Sequence, residues 1–323
     1  MWRLAPVLVI VLVSLVACSS PRRDRVIGGE AGPGPAAARA DQAGAAVAAV
    51  VDGPAVVPDG DVPCDGAPRT LGPGLTHERW TIDAVPRIAV PPCLDVVRAD
   101  LRHHALRLVT ASRDGEARPA PRWLDDLHLV AAVNAGMFHE GGTSVGLLVD
   151  GDHVDQERDN SKLGGYLAFS PRDPAAAPVV VTGRDCPGFD LAALRAAYRS
   201  VTQSYRLLGC DGGALPWADP KHYSAAAVGL DRDGKVVLIH ARAPFLMRDL
   251  SRALARPELG LAGALFVEGG PEATVAVDGA DGDLVLVGSY ETGFVEDDGN
   301  TVPWSLPNLI VLISSDSAAR SGT

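Results

Sequence analysis

Ten short apolar runs between residues 64 and 314 constrain the fold more than any other feature of the sequence. Each run is four to eight residues long, and clusters of Gly, Asp and Pro separate them. Such runs are typical of β-strands joined by turns. Asp231-Arg232-Asp233-Gly234, between two of them, predicts a hairpin because the Asp-Gly pair tolerates a positive φ. The predicted strands are residues 105–111, 127–134, 144–149, 166–169, 178–181, 225–230, 236–240, 264–267, 284–287 and 309–313.

Helical patterns are few in the same region. Asp190 is suited to cap a helix. The apolar face of that helix is predicted to hold Leu191, Leu194, Tyr198 and Val201. Residues 247–254 carry a second apolar stripe that ends before Pro257, and Trp123-Leu124 begins a short third helix. Residues 64–314 therefore predict an α+β fold, a single domain with a large mixed β-sheet and a few covering helices.

Residues 1–17 have the organisation of an export signal. Met1-Trp2-Arg3 is basic, and the apolar run 4–17 is shorter than the roughly 20 residues a membrane-spanning helix needs. Leu15-Val16-Ala17-Cys18 resembles the lipobox of bacterial lipoproteins, which implies acylation of Cys18 and attachment to a lipid membrane. Ser19 resembles the second residue of lipoproteins sorted to the outer membrane of the cell envelope. The alternative is an ordinary signal peptide with an incidental cysteine.

The composition of residues 18–63 differs from that of the apolar region. Ala, Gly and Pro with scattered charge bury too little apolar surface to offset the entropy of ordering, so this segment is predicted to be a flexible tether. Residues 315–323 are predicted to form a disordered tail.

The remaining four cysteines suit an oxidising compartment. Shorter loops close at lower entropic cost, which favours Cys64 with Cys93 and Cys186 with Cys210. Two other pairings, or four free thiols, are the alternatives.

The net charge of -11 and the pI near 5.1 argue against a nucleic-acid partner, since no basic face would meet phosphates. No metal site is predicted, because the side chains of adjacent His103 and His104 diverge on a strand and metal-ligand spacing is absent elsewhere. No cofactor fingerprint is present either.

Polar residues and glycines cluster in three places beside the predicted strands. The clusters are Asn134-Ala135-Gly136-Met137-Phe138, Thr202-Gln203-Ser204-Tyr205-Arg206, and Val267-Glu268-Gly269-Gly270-Pro271-Glu272-Ala273. Glycine lets the backbone approach a ligand closely, and Asn, Gln, Arg and Glu bind sugar hydroxyls and phosphate oxygens.

Together and in this order, the clusters resemble the phosphodiester glycosidase family over residues 101–313. Asn134-Ala135-Gly136-Met137-Phe138 is similar to the family's Asn-Gly/Ala-Gly segment, and Thr202-Gln203-Ser204 to its Gln-Ser-Gly segment. The chain also departs from the family. Glu268 stands where the usual motif has Asp, its serine pair is absent, and an arginine common before the 225–230 strand is missing.

The resemblance implies hydrolysis of a sugar 1-phosphodiester or a related glycosidic bond in a glycan or sugar-phosphate substrate. Such a reaction needs a carboxyl group that exchanges a proton and donors that face phosphate oxygens. Glu268 is the predicted acid/base residue, with Glu272 or Glu291 as the second carboxylate. The predicted substrate-binding residues are Asn134, Gly136, Gln203, Ser204, Arg206, Arg242, Gly269 and Gly270. The observation that tests such a site most directly is whether Asn134, Gln203, Glu268 and Glu291 converge on one cleft.

Two other interpretations remain open. The Asp-to-Glu change and the lost serines also fit a catalytically inactive carbohydrate-binding lipoprotein with the same fold. For Arg206 and Arg242, ordinary surface salt bridges are an equal alternative to phosphate contacts.

Overall fold

The computed structural model describes residues 64–315. The predicted signal peptide, Cys18, the tether and all but the first residue of the predicted tail lie outside the described residues. No helix of the described part is long and apolar enough to span a membrane.

The described residues form eighteen strands and four α-helices. The strands are β1 (Arg69–Gly72), β2 (Leu75–Thr81), β3 (Cys93–Ala99), β4 (His104–Thr110), β5 (Arg118–Pro119), β6 (Ala131–Asn134), β7 (Leu148–Asp150), β8 (His153–Gln156), β9 (Gly165–Pro171), β10 (Val179–Gly183), β11 (Tyr198–Arg206), β12 (His222–Asp231), β13 (Val236–Leu246), β14 (Leu261–Gly269), β15 (Thr274–Val277), β16 (Leu284–Val287), β17 (Ser305–Leu306) and β18 (Asn308–Ser314). The helices are α1 (Ala111–Asp114), α2 (Ala120–Leu127), α3 (Leu191–Ala197) and α4 (Met247–Leu254), with 3-10 turns at Pro257–Leu259 and Gly270–Glu272.

Two sheets pack face to face. The larger has eleven strands, in the order β1-β2-β3-β13-β12-β14-β11-β7-β8 with β9 beside β11 and β10 beside β9. The smaller has the order β16-β15-β6-β18-β4, and β5 pairs with β17 separately. Buried Val228, Leu238 and Leu265 of the large sheet share one apolar core with Val133 and Ile310 of the small sheet. The space between the sheets is therefore the centre of the domain.

Helices cover the outer faces. Helix α4 packs its apolar stripe, Met247, Leu250 and Leu254, against the large sheet. Trp123 and Leu124 of α2 pack against the outer face of the small sheet. The α+β class and the few covering helices are confirmed, but every strand pair is antiparallel, so the sheets are not mixed.

Every predicted apolar run overlaps a strand, although several boundaries differ. Residue 127 ends α2, and the strand predicted from there begins at Ala131. The strand predicted from residue 144 begins at Leu148. The predicted stripe after Asp190 was wrong in its second half: α3 ends at Ala197, and Tyr198 begins β11. The error arose because β11 is buried along most of its length, so no alternation marks it as a strand, and the spacing of Tyr198 and Val201 fits a helical stripe.

Local predictions with a chemical cause are confirmed. The Asp190 carboxylate accepts hydrogen bonds from the Ala192 and Ala193 amides at 2.8 and 3.1 Å, as an N-cap does. Gly234 takes φ 81° in the β12–β13 hairpin.

Both predicted disulfides are present. Their Cα atoms are 5.6 Å apart for Cys64–Cys93 and 5.5 Å apart for Cys186–Cys210. The first joins the start of the described chain to β3, and the second joins the residues after β10 to those after β11.

Candidate functional site

The Glu268 motif lies at the end of a central strand of the large sheet. Strand β14 ends at Gly269, and the chain turns through Gly270, whose φ of 66° favours glycine. A side chain at Gly269 would come within 3.2 Å of the Phe266 ring, so the backbone packs closely there. Glu268 is 1% exposed, and its Oε1 accepts a hydrogen bond from the Gly269 amide at 3.1 Å.

Asn134 ties this turn to the small sheet. It is the last residue of β6, and its Nδ2 donates to the Glu272 carbonyl at 3.0 Å. Its Oδ1 accepts from the Thr274 amide at 2.9 Å. The side chain therefore holds both ends of the Glu272–Thr274 segment, which leads into β15, the neighbour of β6 in the small sheet.

The chain around residues 288–291 packs on the other side of the turn. The Ser224 Oγ donates to the Arg242 carbonyl at 2.5 Å. It also accepts hydrogen bonds from the amides of Ser289 and Tyr290, both at 3.0 Å. Glu291 forms an isolated β-bridge with Tyr223, next to Ser224. Glu272 and Glu291 are buried, 7% and 2% exposed, like Glu268. All three predicted carboxylates thus belong to segments that pack at this turn.

Arg242 uses its guanidinium to hold the same region together. It donates to the carbonyls of Val287 and Asn300, both at 2.9 Å, and forms an ion pair with Asp298 at 2.7 Å. The Asn300 Nδ2 in turn donates to the Gly288 carbonyl at 2.7 Å. Arg242 lies beside the site, and its contacts here are with the protein's own chain.

Sequence reasoning missed His240, which lies on the same face of the sheet as Glu268. On β12, Ala226 is opposite Glu268 of β14 on one side and His240 of β13 on the other. Burial lowers the pKa of His240 to about 4; Asp95 on the next strand raises it, Arg242 lowers it and the Ala273 backbone raises it. His240 is therefore uncharged at neutral pH. The available signal was a histidine closing the apolar run 236–240.

Asp95 continues this polar row towards the edge of the sheet. It is opposite His240 on β3 and is 6% exposed. His77 Nε2 lies 2.8 Å and Arg79 Nε 3.2 Å from its carboxylate.

The Gln203 side chain is fully hydrogen-bonded within the protein. Gln203 is 1% exposed, and its Oε1 accepts from the Leu147 and Asn160 amides at 3.0 and 2.9 Å. Its Nε2 lies 2.8 Å from the Asp159 carboxylate and from the Leu163 carbonyl. The side chain thereby organises the loop between β8 and β9.

Ser204, Arg206 and Gly136 also make internal contacts. Ser204 donates to the Phe266 carbonyl. Arg206 pairs with Asp185 at 2.5 Å and lies 3.0 Å from both sulfurs of the Cys186–Cys210 disulfide. Gly136, at φ 144°, passes close to the Gln203 carbonyl. The structure thus brings together Asn134, the carboxylates, Arg242, Gly269 and Gly270, and directs the Gln203 and Arg206 side chains elsewhere. Substrate-binding roles for all of them stay predictions.

Within residues 64–315, one group of three potential metal ligands lies close together: Asp185, Cys186 and Cys210. The two cysteines are joined as a disulfide, so this group is not a metal site. Two cavities, of about 470 Å³ beside His103 and His104 and about 290 Å³ beside Trp217, are lined by none of the motif residues.

The fold has two packed sheets, and a buried carboxylate lies beside the Gly-Gly turn that connects them. A carboxyl group at the end of a strand in such a fold is able to carry out acid/base chemistry. The sequence matches the phosphodiester glycosidase family over residues 128–313, more than half of the chain. The protein belongs to this family.

Solved structures show the same fold at low sequence identity. The catalytic domain of zebrafish N-acetylglucosamine-1-phosphodiester alpha-N-acetylglucosaminidase, auto-inhibited by its pro-peptide, superposes with a TM-score of 0.54 at 13% identity, covering 76% of this chain and 85% of that one. A hypothetical protein from Synechocystis gives a TM-score of 0.51 at 14% identity, covering 78% and 64%. No curated protein matches the sequence significantly.

Proposed function

We propose that the protein is an envelope-anchored lipoprotein that hydrolyses a sugar 1-phosphodiester or a related glycosidic bond. One observation carries the proposal: in a member of the phosphodiester glycosidase family, the buried carboxyl group of Glu268 lies beside a Gly-Gly turn, in the segment that resembles the family's Asp-Gly-Gly motif. Family membership supports a sugar-phosphate as the class of substrate.

Glu268 is assigned the proton transfer at the glycosidic oxygen. Such hydrolysis uses a pair of carboxyl groups, one acting as acid and the other as base or nucleophile. Glu272, four residues along the turn, and Glu291, bridged to Tyr223, are the two candidates for the second carboxyl. Asn134 acts on this arrangement by fixing the turn, through its bonds to Glu272 and Thr274.

Access to Glu268 requires part of the site to open, because the residue is 1% exposed. Residues 287–300 are the adjoining segment: Asn300 bonds the Gly288 carbonyl, and a side chain at Gly288 would overlap the Gly270 carbonyl. Arg242 holds this segment through Val287, Asp298 and Asn300. Movement of residues 287–300 would admit substrate and free the Arg242 guanidinium to meet a phosphate group.

The second candidate is a catalytically inactive carbohydrate-binding lipoprotein. The deep burial of Glu268 and the loss of the family's serine pair favour it. The full-length protein in detergent should be incubated with a synthetic sugar 1-phosphodiester while free sugar is assayed and binding is measured by calorimetry. Release of sugar supports the hydrolase. Binding without turnover supports the inactive protein, and neither result is compatible with a purely structural envelope protein.

The anchor is a separate part of the proposal. The lipobox-like Leu15-Val16-Ala17-Cys18 ending supports acylation of Cys18. A lipid chain there confines the domain to the reach of the 18–63 segment, so envelope or captured glycans suit it as substrates better than cytoplasmic metabolites. Labelling with a clickable fatty acid in a bacterial host should mark the wild type and not Cys18→Ala. Equal labelling of both proteins would contradict acylation of Cys18.

A further inference from the structure

His240 is a buried polar residue without a conventional partner. It is 1% exposed on β13, and neither ring nitrogen makes a hydrogen bond of normal geometry. The backbone of Ala273, immediately after the Glu268 turn, interacts with the ring and raises its pKa, although the contact does not have the geometry of a normal hydrogen bond.

Such a residue costs stability. A buried polar group left unsatisfied costs about 1–3 kcal/mol, whereas an apolar group of the same shape is nearly neutral there. Native proteins satisfy most buried polar groups, and a catalytic role is one of the explanations for an exception. A leucine at position 240 would fit the apolar run 236–240 and remove the cost, so the imidazole needs another reason to be present.

The position of His240 supplies that reason. Ala226 separates it from Glu268 across two strand pairings. An irregularity in the β12–β14 register between Ala226 and Ala227 puts Glu268 opposite Ala226, and directly opposed residues point to the same face. Two strand spacings are about 10 Å, a gap that a glutamate and a histidine can bridge over a methyl group. The ring and the carboxyl are therefore directed into the same space between the sheets.

Other charged groups face this space. Asp95 lies opposite His240 on β3 and is engaged by His77 and Arg79 of β2. Arg242 follows two residues along β13 and is held by the 287–300 segment. Glu272 lies on the turn itself.

We propose that His240 is a positioning residue for Glu268: its uncharged ring shares a hydrogen bond with the Glu268 carboxyl over Ala226 when substrate is bound, and so orients that carboxyl for proton transfer. The inference rests on the proposed hydrolase function. It predicts that the ring contributes to turnover and not to folding.

The test compares His240→Leu and His240→Gln with His104→Leu in the full-length protein. His104 is the matched control, because it is also buried, but its Nε2 bonds the Pro73 carbonyl at 2.8 Å, away from the turn. Thermal unfolding and the kcat and KM for a sugar 1-phosphodiester are measured from pH 4 to 8. We expect His240→Leu to lower kcat about 100-fold, with KM within about 2-fold and Tm unchanged or raised.

The pH profile and the conservative variant separate positioning from packing. In His240→Leu the limb of the kcat profile assigned to Glu268 should move, and His240→Gln, which keeps a donor, should recover part of kcat. His104→Leu should lower Tm and leave kcat unchanged.

Three results would overturn the inference. If His240→Leu keeps the kcat and the pH profile of the wild type, the positioning role is rejected and the proposed hydrolase function stands. A large fall in Tm in His240→Leu assigns the ring to folding instead. An inactive wild type overturns the proposed function and this inference together, which distinguishes it from the first two results.

Discussion

The Gln203 and Glu268 clusters lie on neighbouring strands, β11 and β14, which pair at Tyr205–Phe266, yet they use their polar side chains differently. Every polar atom of the Gln203 amide contacts the protein, through Leu147, Asn160, Asp159 and Leu163. The Glu268 cluster instead buries three carboxylates together with the imidazole of His240, whose ring nitrogens make no hydrogen bond of normal geometry.

This difference separates a framework from a site. A satisfied buried network fixes a unique structure, whereas buried polar groups kept at a cost in stability are typical of functional positions. The following changes test that division, from the largest expected effect to the smallest.

Glu268→Gln should lower turnover of a sugar 1-phosphodiester by at least about 10³-fold, since the amide cannot exchange a proton. Its size is nearly unchanged, so Tm should stay within about 2 °C of the wild type. Steady-state assay and thermal unfolding check both. Retained activity would remove Glu268 from the acid/base role.

Gln203→Leu should cost about 3–4 kcal/mol of unfolding free energy, because it leaves the Leu147 and Asn160 amides and several acceptors without partners. Gln156→Leu is the control: Gln156 is only half-buried, donates a 3.3 Å bond to the Ser144 carbonyl and accepts a 2.9 Å bond from the exposed Arg158 amide, so its loss should cost about 1 kcal/mol. Urea unfolding measures both. A stable Gln203→Leu with raised KM would instead make Gln203 a substrate-binding residue.

His240 should make the protein acid-sensitive. Burial lowers the pKa of its ring from 6.5 to about 4, so between these values protons bind the unfolded ring and not the folded one. The contribution is complete above pH 6.5 and is lost as the pH falls to about 4, by about 3 kcal/mol. The unfolding free energies of wild type and His240→Leu should therefore diverge in this window, because only the wild type loses this contribution as the pH falls. Parallel curves would contradict it, and a change at exposed His103 should leave the wild-type curve unaltered.

Arg206→Gln should have the smallest effect. Its partner Asp185 is 68% exposed, so the ion pair and the contact with the disulfide together contribute about 1 kcal/mol. The kcat/KM should remain within about 2-fold of the wild type. A rise in KM specific to the phosphodiester would restore Arg206 as a phosphate contact.

Much of the framework could be predicted from local chemistry. The Asp231–Gly234 hairpin and the Asp190 cap depend on residues adjacent in sequence, and both are present. The Cys186–Cys210 disulfide followed from a short loop. The β11 segment was the exception, because it is buried along most of its length and shows no alternation, and only pairing with β7, β9 and β14 makes it a strand.

The sequence by itself determined the α+β class, most strands, both disulfides and the order of the family motifs, because each of these depends on periodicity, turn chemistry or short loops. Tertiary structure decided which motif side chains face one another. Glu268 and His240 both lie opposite Ala226 only through the register of β12, β13 and β14. Gln203 bonds the amide of Asn160, in a loop more than 40 residues earlier in the chain. Cross-strand register is set by packing the whole sheet, so no single segment of the chain contains it.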